Sequence, residues 1–357
     1  MSALIVLPTF ILFLISITNF FAIRRPTENS TIGGFVSVIV PLRNELHNIE
    51  ALIASLASQT GLAHVEFILL DDNSEDKSFE LITATITGHV NFRALQGRPL
   101  PAGWIGKTWA LQQLLEVSVG EIVVSIDADV RLTPDAISKS ITLMKSMDLD
   151  FLSPNPRQLA TTWSERLIQP LLQWSWMSTL PLRIAQNSSR PSMAVANGQF
   201  FIVRRGALTA AGGYESVKAA VLDDVFLARV LFKTGSHGVV VNGAGIAQCR
   251  MYASWSEIKA GYGKSLNSAF GSSFGSPLAI VFLFVTGVAP LVLGLMGSAW
   301  GWVGFGLIVA TRVLSAIRGR AHVIDSLLHP ISSTLLIYLI LYSWLMRGNI
   351  QWKGRAV

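Results

Sequence analysis

"EIVVSIDADVRLTPD", residues 121–135, decides how this chain is read. Ile122, Val123, Val124 and Ile126 make a nearly unbroken β-branched run, the pattern of a strand buried on both faces. Asp127 and Asp129 follow where that strand runs out. On extended backbone, residues i and i+2 share a face, so the spacing predicts two carboxylates pointing the same way. Like charges that close repel unless a lysine, a proton or a metal ion neutralises them.

The flanking sequence repeats the pattern. "FVSVIV" (35–40) reads as a buried strand, "HNIEALIASLASQ" (47–59) as a helix, and "VEFILLDDNSED" (65–76) as a second strand ending in acids. "KTWALQQLLEVS" (107–118) reads as another helix. Strands alternating with helices predict an α/β domain with a mostly parallel sheet over 35–270. Ligands of such sheets bind beyond the C-terminal strand ends, where both acidic clusters fall.

Apolar residues make up 51% of the 357 and charged residues 14%, below the quarter or so usual for soluble domains. The net charge is +6, with +1 in residues 1–34 and +5 in 271–357, which leaves 35–270 neutral. Nucleic-acid binding places surplus charge on the folded domain; here it flanks apolar runs, as in membrane proteins. Cys249 is the only cysteine, which excludes a disulfide framework, and the six histidines are scattered as surface or capping residues.

Residues 1–23 are apolar enough for a membrane anchor, with Arg24 and Arg25 after it. Positive-inside asymmetry then places a linker (24–34) and the α/β domain in the cytoplasm; a signal peptide is the alternative. Residues 159–189 hold Trp163, Trp174 and Trp176 between prolines, and read either as buried core or as helices in the membrane interface. The region 277–347 offers two or three spans: 277–296, a short 300–313, and 331–345. In that arrangement Arg312, Arg318 and Arg320 occupy a cytoplasmic loop, no charge lies within a span, and a basic tail (348–357) follows.

The acidic motifs carry the chemistry. Asp71 and Asp72 end one strand; Pro41, Arg43 and Glu45 lie at its neighbour's end. Carboxylates and an arginine so placed suit a nucleotide; a turn with a helix cap is the ordinary alternative. Lys107 opens a helix against its dipole, so it needs an anionic partner: a phosphate or a strand-end carboxylate. The glycines around it do not have phosphate-loop spacing. Asp127 and Asp129 suit Mg²⁺ or Mn²⁺, which take one or two carboxylates plus substrate phosphate oxygens, or else cap a turn. Asp223 and Asp224 precede an amphipathic helix with Phe226, Leu227, Val230 and Leu231 on one face. They read as an N-cap pair or as a general base. Asn197 and Gly198 begin a strand and glycine-rich turn suited to the site's floor. Gln248, Arg250 and Tyr252, just before the apolar region, suit an acceptor side or a membrane interface.

In order and spacing, "VSVIVPLRNE" (36–45), "ILLDDNSED" (68–76), "GKTWAL" (106–111), "SIDADV" (125–130), "NGQFFIVRRGAL" (197–208), "LDDVFLARVLFKTG" (222–235) and "QCRMY" (248–252) resemble family-two glycosyltransferases. Those enzymes have a GT-A, Rossmann-like fold. "GWIGKTWAL" (103–111), the apolar C-terminal region and "WKGR" (352–355) look most like the hopanoid-associated and carotenoid glycosyltransferases of bacteria. The resemblance implies an inner-membrane enzyme that moves sugar, with inversion, from a nucleotide-sugar (usually a UDP-sugar) to a lipid acceptor. It implies that Asp72 meets the uracil, with Arg43, Glu45 and Lys107 nearby. Asp127 and Asp129 become the DxD motif for ribose and metal, and Asp224 the base. Asp223 stands where the family has Glu, and "QCRMY" departs from the Gln-x-x-Arg-Trp that holds a growing polymer. A polyprenyl-phosphate acceptor is the alternative within the class, and a catalytically silent membrane scaffold the alternative outside it.

Overall fold

The computed structural model describes residues 3–188, 190–270, 274–346, 351–352 and 355–356. Two compact units result: residues 24–157 with 185–249, and residues 1–23 with 158–184 and 250–357.

The first unit is the α/β domain. Its strands are β1 (Ile32–Leu42), β2 (Leu62–Asp71), β3 (Phe92–Gln96), β4 (Ile122–Ile126), β5 (Val130–Leu132), β6 (Phe151–Asn155), β7 (Arg157–Gln158), β8 (Phe200–Arg204), β9 (Gly238–Asn242) and β10 (Ala247–Cys249). A seven-stranded sheet runs β3-β2-β1-β4-β8-β6-β9. Strands β3, β2, β1 and β4 are parallel, as are β6 and β9. β8 alone runs antiparallel, to β4 and to β6. Its start therefore reaches the edge where the other strands end. Strand order reverses between β1 and β4, which opens a crevice at that edge. Pro41 is tolerated in a central strand because β4 pairs only with Val36–Ile39 of β1, so no ladder bond is lost beyond them. Ile39, Ile68, Leu114, Val123, Phe151, Phe201, Tyr214 and Leu231 are buried in one core that binds sheet to helices.

The second unit is helical. Among the described residues, three helices are long and apolar enough to cross a membrane: Gly275–Leu295, Ala299–Gly319 and Val323–Leu345. The first contains a π-helical turn, Phe284–Val288, just before Pro290; proline has no N–H and its ring crowds the carbonyl four residues back. The N-terminal helix, Ala3–Ala22, is also apolar and packs on Ala299–Gly319 and Pro170–Thr179. Polar groups stitch these helices. Trp174 Nε1 donates to Thr311 Oγ1 at 2.8 Å, and Asn19 Nδ2 donates to the Met177 and Leu180 carbonyls at 2.8 and 2.6 Å. Arg318 donates to the Phe20 carbonyl.

The second apolar helix is longer than its hydropathy suggests. Arg312 and Arg318 lie within it, and only Arg320 leaves it, as a left-handed C-cap at φ 53°. Arginine is a good helix former, so the helix does not stop at the first one. The expected three-arginine loop is therefore replaced by a short turn, and charge does occur inside a candidate span. His329, expected at the surface, is fully buried, its ring edge-on to Trp174 at 4.6 Å. In residues 159–189, Trp174 and Trp176 are buried whereas Trp163 is exposed. The basic tail lies largely outside the described residues.

Candidate active site

The crevice between β1 and β4 gathers side chains from separate stretches of sequence. β4 ends at Ile126, and the chain turns instead of continuing extended. Val130 N donates to the Asp127 carbonyl at 3.1 Å, and Asp127 N to the Gln199 carbonyl at 3.1 Å. The two aspartates are thus neighbours on a turn and not co-facial residues of a strand. Arg131 fixes that turn, donating to the Ala128 and Val130 carbonyls at 2.8 and 2.9 Å and to Asn48 Oδ1 at 2.7 Å.

Lys107 takes the carboxylate option. Its Nζ lies 2.7 and 3.0 Å from the Asp127 carboxylate oxygens and 4.0 Å from Asp223 Oδ2. Burial works against the ammonium, but the charges of Asp127, Asp223 and Asp224 outweigh it and hold Lys107 protonated, well above its usual range. Asp223 and Asp224 occupy the first turn of helix Asp223–Lys233, inside the helix and not at its cap. On that helix Leu227 and Leu231 are buried while Phe226 points outward. Asp224 Oδ2 accepts from Gly198 N at 2.7 Å and Oδ1 from Val225 N at 2.8 Å. A side chain at residue 198 would crowd the site, because a Cβ there would lie 3.2 Å from Asp224 Cβ and 3.3 Å from Lys107 Nζ. Burial first and the Asp223 charge second push the Asp224 carboxyl up to about 6. Asp129 also rises to about 6, through burial and then the charge of Asp127. Its Oδ1 is buried without a hydrogen-bond partner.

On the β1–β2 side, Asp71 and Asp72 are buried, and Asp71 Oδ2 accepts from Ser74 N at 3.0 Å. Arg43 is buried too, and donates to the Asp72 and Asn73 carbonyls at 2.6 and 2.7 Å and to Glu75 at 3.3 Å. Its visible work is to fasten the 72–75 loop. Glu45 Oε2 accepts from Asn48 Nδ2 at 2.7 Å. Asn197 Nδ2 donates to Asn155 Oδ1 at 2.8 Å. Gln248 is exposed, opposite Arg131 in the β5–β10 ladder.

Arg250 and Tyr252 belong to the helical unit. Arg250 donates to Glu165 Oε1 at 3.0 Å and to Thr161 Oγ1 at 2.8 Å. Glu165 caps helix Trp163–Ile168 and also accepts from Thr161 N at 3.0 Å. Burial tends to raise its carboxyl, but the Arg250, Thr162 and Thr161 hydrogen bonds overcome this and hold it down to about 2. Tyr252 rests against Tyr262, with ring centroids 6.0 Å apart.

Sequence reasoning passed over Arg131, Gln199, Cys249 and Glu165. Gln199 Nε2 lies 3.0 Å from Cys249 Sγ, and the Cys249 thiol hydrogen-bonds Asp129. The position of Arg131 two residues after Asp129, and of Gln199 and Cys249 inside quoted motifs, was the available signal.

The acids at the order reversal of a mixed sheet lie where open α/β sheets bind ligands. Residues 37–211 match the profile of glycosyl transferase family 2, and the chain carries a glycosyltransferase domain of that family. It is 27% identical to a beta-monoglucosyldiacylglycerol synthase of Trichormus variabilis, over 54% of this chain and 40% of that relative. The chain thus spans well under two thirds of that relative's length. It is 24% identical to the 4,4'-diaponeurosporenoate glycosyltransferase of Staphylococcus haemolyticus, over 73% of this chain and 68% of the relative. Among solved structures, a mannosyltransferase of Pyrobaculum calidifontis in complex with GDP-Man and Mn²⁺ shares the fold at TM-score 0.55 and 14% identity, over 97% of this chain and 98% of that one.

Proposed function

We propose that this protein moves a sugar from a nucleotide diphosphate, first of all a UDP-hexose, to a hydroxyl or carboxyl of a membrane lipid such as a carotenoid or other isoprenoid, with inversion. The observation that carries this reading is the convergence of Asp127, Asp223 and Asp224 on Lys107 at the strand-order reversal. The two lipid-directed relatives support the acceptor class. In this reading the protein is a multi-pass protein of the cell membrane with residues 35–270 in the cytoplasm.

Asp72 and Asp71 face the nucleotide base, with Pro41 and Glu45 beside them and Arg43 acting through the loop it fastens. Asp127 and Asp129 fit a divalent cation, Mg²⁺ or Mn²⁺, because a buried carboxylate oxygen without a hydrogen-bond partner is stabilised by a cation. Among the described residues no group of three or more His, Cys, Asp or Glu could hold a metal, so Asp127 and Asp129 would hold such an ion only together with oxygens of the substrate. When bound, such an ion neutralises charge on the departing diphosphate.

Asp224 takes the proton of the acceptor hydroxyl while that oxygen bonds to the sugar's C1. The C1–O bond to the diphosphate breaks on the opposite face, and its electron pair leaves with the phosphate. The amides of Gly198 and Val225 keep the Asp224 carboxylate oriented. Its elevation to about 6 makes it a stronger base that is still ionised at neutral pH. A polyprenyl phosphate arrives already ionised and needs no base, and the same holds for a lipid carboxylate, so a base at Asp224 favours the hydroxyl acceptor over both. Asn197 and Gly198 mark the acceptor side of the α/β unit. The test is Asp224→Asn with a panel of UDP-sugars and lipids, read by mass spectrometry: sugar-donor binding persists and transfer is lost. Near-normal turnover would remove Asp224 from the mechanism.

A further inference from the structure

Arg312 is 3% exposed within an apolar helix. Its Nε has no hydrogen-bond partner, and it forms no ion pair among the described residues. Asp325 is the acid whose field reaches it, but both Asp325 oxygens are held by Arg166, at 2.8 and 2.5 Å. Arg166 thus takes up the carboxylate whose field reaches Arg312, and the buried Arg312 charge is left without a paired acid among the described residues. On the packed elements around it, His329 Nδ1 and both polar side-chain atoms of Gln169 are also buried without partners. Internal water can satisfy neutral orphans, but it does not cancel a buried charge. Ionisable groups within apolar helices are kept at a cost and mark binding sites by default.

We propose that Arg312, with the Arg166–Asp325 pair beside it, binds the phosphate of an anionic membrane lipid. The guanidinium fork matches phosphate geometry, and basic pockets between membrane helices bind lipid headgroups. The surroundings select a lipid over a free anion. Ile324 is 67% exposed and Leu327 53% exposed on the turn that carries Asp325. Trp163, 65% exposed, lies under the Arg166 guanidinium at 4.7 Å, and exposed tryptophan beside a cation suits the headgroup layer.

The inference rests on the reading of these helices as membrane-embedded. The full chain is placed in nanodiscs of phosphatidylcholine with or without phosphatidylglycerol, and retained lipids are counted by native mass spectrometry. Wild type keeps phosphatidylglycerol over phosphatidylcholine by about five- to thirtyfold, the scale of one to two basic contacts near a membrane surface. Arg312→Met brings the ratio near one while circular dichroism stays unchanged. Arg312→Lys, which keeps the charge but removes the fork, retains less than wild type and keeps the test open if the Met variant does not fold. Equal retention by wild type and variants overturns the proposal. So does equal thermal protection by inorganic phosphate in pure phosphatidylcholine discs, which makes the site one for free anions. A chain that never enters the discs overturns the membrane reading, and this proposal with it.

Discussion

The two units keep their charges in opposite ways. In the α/β unit, three aspartates converge on Lys107 at the rim of a sheet with Asp129 next to Asp127, and Asp129 and Asp224 are pushed up to about 6 by burial and a neighbouring acid. In the helical unit, Arg166 holds both oxygens of Asp325, and buried Arg312 has no paired acid among the described residues. An excess of acid calls for a cation, and an excess of guanidinium calls for an anion. In the two proposals above, the sign of the imbalance sets the kind of ligand assigned to each region, whereas a balanced cluster such as Glu165 with Arg250 is complete in itself.

The largest expected effect tests the acidic region. Asp224→Asn lowers glycosyl transfer by about a hundred- to ten-thousandfold, the range for loss of a general base, with nucleotide-sugar binding by calorimetry retained. Lys107→Met comes next. It removes the one cation that pulls Asp224 downward, so the Asp224 carboxyl rises further. The base works only when ionised, so activity climbs as pH rises through about 6 in wild type, and in the variant that limb moves to higher pH. A pH–rate profile with an unmoved limb breaks the assignment of Lys107 as counter-charge.

Smaller effects test the balanced contacts. Glu165→Gln weakens a charge-assisted network and costs about 1.5–3 kcal/mol in thermal or denaturant unfolding. Because folding lowers the Glu165 carboxyl to about 2, its stabilisation is present above about 4.5 and is lost as pH falls toward 2; the Gln variant lacks that acid-side loss. Trp174→Phe removes the indole hydrogen bond to Thr311 and leaves part of a fully buried site unfilled. About 1–3 kcal/mol of stability disappears in unfolding, and the active site in the other unit keeps its contacts.

How much of this was legible depended on range. The strand of "EIVVSIDADV" could be read because buried strands announce themselves by local β-branched runs, and a lysine at a helix start announces a missing anion. The carboxylate partner of Lys107 was therefore foreseeable as a kind, though not as Asp127 in particular. The turn at Asp127–Asp129 was not legible, since it depends on the Gln199 carbonyl and on Arg131 reaching Asn48. The arginine at 312 was misplaced for a related reason. Hydropathy falls at a charge, whereas the helix continues through it because neighbouring helices bury the side chain. The internal bonds of Arg43 could not be read either, because they go to backbone carbonyls, which every residue carries.

The reversed strand β8 has a further consequence. β6 leaves the sheet at Asn155 and β8 enters it at Phe200, and the Asn197–Asn155 hydrogen bond closes the gap between the two at 2.8 Å. Of the residues between them, 158–184 fold into the helical unit and are tied there by Glu165 and Trp174. The Asn197–Asn155 latch therefore marks where the chain leaves the sheet for that unit and where it returns, so that the sheet keeps its register across a long excursion of the chain.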